Sequence, residues 1–255
     1  MDETGYRVSG MTQWLHVAAT VLFTFYRTSA KRGALLAGVI GTIVHDHWKP
    51  YFTMDSVLHA LCNAHHLREL KALMEIEKEA WAFAMYRFLR QACHAVNTAR
   101  RKELTLEPRF LAWMQARYDR IVAGSKCLPD FDRQNQDGLA FHEAQPPPSE
   151  KKGKRRGPQR RRTGHNLLLR LQSRKDDVLR FLTDPAVPFT NNRAEQDLRM
   201  MKVRQKISGC FRTAAGADNF ATLRSVLSTA RKQGWSLIGT LQENPDALIG
   251  KINAA

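Results

Sequence analysis

Three carboxylates and one block of cations carry the chemical possibilities of this chain. Asp2 lies in the opening run DETGYRV, and Asp46 closes the apolar run from Gly41 to His45. Glu195 lies far downstream in PFTNNRAEQDLRMMKVRQKISG, with Arg193, Arg199, Lys202, Arg204 and Lys206 crowded around it. Carboxylates converging from separate elements are what two-metal phosphodiester chemistry needs, with the cations roughly 3.5–4 Å apart. Mg²⁺ keeps several waters and takes one or two carboxylates directly, so three acids suffice for a pair when DNA oxygens complete the shells. The neighbouring cations suit phosphate. On its own stretch, Glu195 has a plainer account: Asn192-x-x-Glu195 fits a capping box, and Glu195 with Arg199 an i,i+4 ion pair.

The elements that would position these acids follow from pattern. Trp14 to Ala19 and Val21 to Tyr26 are rich in β-branched and aromatic residues and read as two strands of a hairpin, broken by Thr28 to Gly33. Ala34 to Val39 suits a short helix. Gly41 to Asp46 reads as a buried strand ending in an acid, and ligands of α/β sheets bind at the carboxyl ends of strands. A strand-end cap or turn is the equal alternative for Asp46. Around Glu195, Pro185 and Pro188 end the preceding element and Asn191-Asn192 can cap a new helix. In that helix Ala194, Leu198 and Met201 recur at i, i+4, i+7, which predicts one buried face with Glu195 beside it.

From Met54 to Gly124 the period is helical. Leu58, Leu61, His65 and Leu70 share a stripe, and Ala80, Phe83, Phe88 and Leu89 suit a second helix. Pro108 starts a third, with Phe110, Trp113, Met114, Tyr118 and Ile121 inward. Pro146 to Arg162 is a proline-led basic run in which Lys151, Lys152, Arg155 and Arg156 could track phosphates or act as a solvated tether. Asn166 to Leu182 returns to helix. Asp218 is a candidate cap for a last long helix bearing Phe220, Leu223, Leu227 and Ala230 and ending at Gly234. The tail after Pro245 carries no signal.

Composition bounds the partner. Forty Lys+Arg against 24 Asp+Glu give a net charge of +16, which points to a polyanion, most often nucleic acid. No apolar run approaches the ~20 residues of a membrane span. Cys62, Cys93, Cys127 and Cys210 show no CxxC spacing and fit reduced thiols in a cytosol. The order strand–strand–strand–helix–strand, followed by a late acidic helix, is an RNase H-like α/β layout. It divides the chain into a first part of the core (1–53), a helical insertion (54–135), a linker (136–165), the remainder of the core (166–242) and a tail (243–255).

The segments DETGYRVSG, WLHVAAT, GTIVHDHWKPYF, LCNAHHLREL and PFTNNRAEQDLRMMKVRQKISGCFRTAAGADNFATLRSVLSTARKQG resemble, in order, the catalytic part of insertion sequence 66 family transposases. The resemblance implies an RNase H-like core with an Asp-Asp-Glu triad falling on Asp2, Asp46 and Glu195, with a mostly α-helical insertion before the Glu. It implies two Mg²⁺ or Mn²⁺ ions, one activating water or a freed 3′-hydroxyl and the other stabilising the departing oxygen. It also implies DNA cleavage and strand transfer at insertion-sequence ends. DNA is the expected partner, with homo-oligomers on DNA or association with full-length transposase. No membrane or small-molecule substrate is expected, and the location is cytoplasmic, at the nucleoid. Cys62-x-x-His65 makes half a zinc site, and a similar pair recurs after the second Asp in several transposase groups, which implies a positioning role.

The chain departs from the family at its start. The family's DNA-binding region, coiled coil and cysteine cluster do not occur in it, nor do the apolar residues expected before Asp2. The expectation is a truncated enzyme, poor or inactive, in which Asp2 frays and neighbouring strands expose an edge. An RNase H-like nuclease such as a junction resolvase, and a non-enzymatic remnant that binds DNA or a partner, remain open alternatives.

Overall fold

The computed structural model describes residues 1–33, 38–125 and 163–254. Lys151, Lys152, Arg155, Arg156 and most of Ala34 to Val39 lie outside them. Two compact units divide the chain: Met1–His59 with Thr190–Ala255, and Ala60–Phe189.

The first unit is built on an antiparallel meander of β1 (Asp2–Val8), β2 (Met11–Ala19) and β3 (Thr24–Ser29), in the order β1-β2-β3. Ser9 and Gly10 join β1 to β2 with φ of 46° and 81°. Positive φ at both centres of a two-residue loop matches the twist of a hairpin and pins its register, Asp2 to Val17 through Val8 to Met11. The strands alternate. Thr4, Tyr6 and Val8, with Leu15 and Val17, are buried on one face, and period two puts Asp2 on that face and Glu3 on the other.

Two helices cover the buried face. α6 (Asn192–Ser208) contributes Ala194, Leu198 and Met201 to a core with Tyr6, Val8, Leu15, Val17, Tyr26 and Phe211, as its spacing predicts. α7 (Ala214–Gln233) adds Ala217 and Ala221. Thr213, not Asp218, caps α7, its hydroxyl accepting the Gly216 N–H at 3.1 Å. Asp218 instead accepts from the Thr28 hydroxyl. Its distance from the true helix start follows from Ala214-Ala-Gly-Ala, a helix-compatible run that hides the boundary. Leu223, expected inward, is half exposed, because the small residues Ala217 and Ala221 make the close approach to the sheet instead. Gly234 closes α7 at φ 72°. α8 (Leu237–Gln242) and α9 (Pro245–Ala254) follow, and α9 buries none of its residues.

β4 (Gly41–His45) pairs with β5 (Val57–Leu61) in a separate two-stranded sheet. Here the sequence reading needs correction. Leu58 and Leu61 belong to this strand, not to a helix, and helix begins only at α1 (Asn63–Ala72). A run as short as Val57–Leu61 satisfies period 3.6 and period 2 about equally, and pairing with β4 decides between them. β3 likewise runs three residues later than Val21 to Tyr26, because Thr20 to Phe23 form the β2–β3 turn, with the Thr20 hydroxyl accepting the Phe23 N–H at 2.9 Å.

The second unit is helical: α1, α2 (Ala80–Arg101), α3 (Pro108–Gly124), α4 (Thr163–Ser173) and α5 (Lys175–Thr183). α2 buries Trp81, Ala82, Met85, Phe88, Leu89, Ala92 and Val96 along one side, while Phe83 is half exposed. α3 buries Met114 and Tyr118 but exposes Trp113. The Tyr118 hydroxyl donates to the Leu171 carbonyl at 2.8 Å. Among the described residues no helix is long and apolar enough to cross a membrane.

Candidate active site

Asp2, Asp46 and Glu195 all belong to the first unit, on β1, directly after β4 and on α6 respectively. Asp2 opens β1 and is held there: it pairs with Val17, and Met1 before it is buried. The residue 1 amine donates to the Val44 carbonyl at 2.6 Å. The other end of β1 is also covered, by Phe211, whose N–H donates to the Arg7 carbonyl and whose carbonyl accepts the Ser9 N–H, both at 2.9 Å. The expected fraying of Asp2 is therefore not observed, because main-chain bonds tie down both ends of its strand.

Burial raises the Asp2 carboxyl to a pKa of about 6. The Glu3 N–H and the residue 1 amine pull the other way, and the Asp46 and Glu195 carboxylates add to the rise. Repulsion felt at Asp2 from both partners is the electrostatic signature of three acids sharing one neighbourhood. One Asp2 oxygen accepts the Glu3 N–H at 2.8 Å. Asp46 forms an Asx turn, its Oδ1 accepting the Trp48 N–H at 3.0 Å. Glu195 lies in the first turn of α6, where the helix dipole favours negative charge.

The neighbouring acid Glu3 is chemically committed elsewhere. Burial alone would raise its pKa, but hydrogen bonds and charge from His16 and Arg32 outweigh burial and lower it. Arg32 Nε lies 2.7 Å from its carboxylate, with the guanidinium between the Trp14 and Trp48 rings. Strand alternation sets Asp2 and Glu3 on opposite faces of β1.

His45 is fully buried against Tyr51, Phe52 and His59. Burial pushes its pKa down to about 3, so the ring is neutral. Its Nδ1 must donate to the Asp46 carbonyl, which leaves Nε2 to accept from His59 Nδ1 at 3.1 Å. His45 is thus a packed, neutral ring beside Asp46.

The cations of α6 fall into two sets. Arg199, Lys202 and Lys206 follow Glu195 at i+4, i+7 and i+11 on one exposed stripe. Arg193 is exposed on the other flank. Arg204 differs, its guanidinium lying 3.6 Å from the Phe211 ring centroid with Nη1 buried and without a hydrogen-bond partner among the described residues. The acid of that flank, Asp197, is neutralised by Lys232 at 3.0 Å and accepts from the Thr24 hydroxyl at 3.1 Å.

In the second unit Cys62 is buried at the start of α1, and its carbonyl accepts the His65 N–H at 3.1 Å. Sequence reasoning misses Asn191, which is buried just before α6 and directs its side chain at the main chain of residue 1. The one signal for it is the pair Asn191-Asn192, which reads as a cap.

A family model described as Transposase IS66 family matches residues 1–219. Among curated proteins, uncharacterized protein y4jO of Sinorhizobium fredii (strain NBRC 101917 / NGR234) is 35% identical over 85 residues, or 31% of this chain and 26% of its own. The chain thus spans about a quarter of the length of that relative. No solved structure matches the chain.

Proposed function

This chain belongs to the IS66 family of transposases, and we propose that its first unit is the catalytic centre for DNA cleavage and strand transfer at insertion-sequence ends. In this reading Asp2, Asp46 and Glu195 are the Asp-Asp-Glu triad of an RNase H-like core. The observation that carries it is the raised pKa of Asp2, to which both other acids contribute from separate elements.

The donor set fits divalent cations. All three groups offer hard carboxylate oxygens, which suit Mg²⁺ or Mn²⁺. Asp2 and Asp46 each commit an oxygen to one backbone N–H, and their remaining lone pairs are available as ligands. Bound there, a pair of ions would neutralise charge on the attacking and leaving oxygens of the phosphodiester. The chain's own contribution is to orient and to bind. β1, the turn after β4 and the first turn of α6 each fix one acid. Arg199, Lys202 and Lys206 continue from Glu195 for about 16 Å along the helix, at 1.5 Å per residue. That length matches roughly five steps of a DNA strand at 3.4 Å each, so the stripe guides a strand toward the acids. Copies of the chain, or a full-length relative, assemble on that DNA in this reading.

The test is metal-dependent nicking and joining of a DNA end by the purified chain. Asp46→Asn and Glu195→Gln should each abolish both, with DNA affinity equal or higher because a negative charge near phosphate is gone. Nicking without joining would point to a nuclease. DNA binding with neither activity, unchanged by both substitutions, would sink the catalytic reading.

A further inference from the structure

Asn191 occupies the N-cap position of α6 yet does not cap it. Its side chain accepts from none of the helix's N–H groups, although Asn is among the best capping residues. The amide turns instead to the main chain of residue 1. Nδ2 donates to the Met1 carbonyl at 2.6 Å, and Oδ1 accepts from the Met1 nitrogen at 3.4 Å. Asn191 is 7% exposed and Met1 8%, so these bonds form out of water, where a lost partner leaves a polar group stranded. The Asn191 carbonyl accepts the Glu195 N–H at 3.2 Å, which ties the same residue to the first turn of the helix. The nitrogen of residue 1 also donates to Val44, two positions before Asp46.

We propose that Asn191 is a positioning residue for the acid cluster: its amide locks the strand carrying Asp2 to the helix carrying Glu195. This rests on the three-acid reading above. The physical reason is that a carboxylate useful as a ligand must be held to within roughly half an ångström. Asp2 has main-chain pairing on its β2 side, and Asn191 supplies the constraint toward α6. The chain forgoes a cap to gain that constraint, and a cap alone would be met as well by Ser or Asp.

That equivalence provides the test. Asn191→Ser and Asn191→Asp both retain capping ability. Ser is too short to reach both groups of residue 1, and Asp sets a carboxylate oxygen against the Met1 carbonyl. Mn²⁺ binding to the full chain, followed by electron paramagnetic resonance, should weaken roughly 10–100-fold in both variants, the usual cost of removing a residue that orients ligands. Amide hydrogen exchange should quicken at Asp2 and Glu3 while Leu198, in the body of α6, keeps its protection. Mn²⁺ affinity within twofold of the unmodified chain in both variants would overturn the proposal, since a capping role predicts that rescue. Asp46→Asn is the control. If it leaves Mn²⁺ binding unchanged, the three-acid reading fails, and exchange at Asp2 and Glu3 alone then decides whether Asn191 holds the strand. Unchanged exchange there would refute the lock.

Discussion

Beneath α6 the meander buries Tyr6, Val17 and Tyr26, and the same face of β1 carries Asp2, whose carboxyl burial holds protonated to a pKa of about 6. The described helices of Ala60–Phe189 bury mostly apolar side chains. Phe88 lies against Tyr118, whose hydroxyl is bonded to Leu171, and Glu69 meets Arg170 at 2.7 Å toward the surface. The second unit also buries Glu79, so what sets the first apart is an acid whose pKa burial raises to about 6 with two neighbouring carboxylates adding to the rise. A folded chain retains costly buried charge where something else is gained by it, and functional sites concentrate such perturbed groups. In the proposed function, chemistry belongs to the first unit and packing to the second.

The sharpest way to break that contrast is to compare losses of activity. Glu195→Gln should lower metal-dependent DNA nicking by about 10³-fold or more, the scale for removing a group that acts in the transition state, while circular dichroism and melting stay near those of the unmodified chain. Phe88→Ala in the second unit should do the reverse and cost about 3–5 kcal/mol of stability. Denaturant unfolding would measure it, with the remaining folded fraction still able to bind metal. If Phe88→Ala removed Mn²⁺ binding from folded protein, the two units would not divide the labour in this way.

Asp2 gives the next largest effect. Unfolded, its carboxyl releases the proton near 3.8, whereas folded it holds the proton to about 6. Between those values the native state binds more protons than the unfolded state, so this group's contribution to stability falls as pH rises through the window. Asp2→Asn should therefore stabilise the metal-free chain at pH 7 to 8 by about 3 kcal/mol and bring almost no change near pH 3.5. Mn²⁺ should raise the melting temperature of the unmodified chain at neutral pH and do so far less in Asp2→Asn. Equal stability of both proteins across this pH range would remove the cost on which the comparison rests.

The smallest effect concerns the basic stripe. Substituting Gln for Arg199, Lys202 or Lys206 should reduce the slope of log affinity for DNA against log salt by about 0.9 for each phosphate no longer neutralised. Arg204→Gln should leave that slope unchanged and lower stability, because its guanidinium lies on the Phe211 ring. A slope that moved with Arg204 and not with Lys202 would invert the assignment of the two flanks.

Local pattern determined a good part of this molecule. The buried face of α6, the Pro108 start of α3, the strand ending before Asp46 and the αL close at Gly234 follow from spacing, Pro and Gly chemistry within a few residues. The net charge of +16 and the density of cations after Glu195 were equally local. Tertiary structure decided the rest. The short run Val57 to Leu61 became a strand because β4 offered a ladder, which no local period could reveal. Asp2 and Glu3 are adjacent acids, and the pleat of a paired strand sends one beneath α6 and the other to Arg32 and His16. Asn191 carries a cap's signature, and its use depends on a main-chain carbonyl 190 positions away. Sequence fixes what each side chain can offer; which partner reaches it first is settled by long-range packing, whose geometry no short window of residues contains.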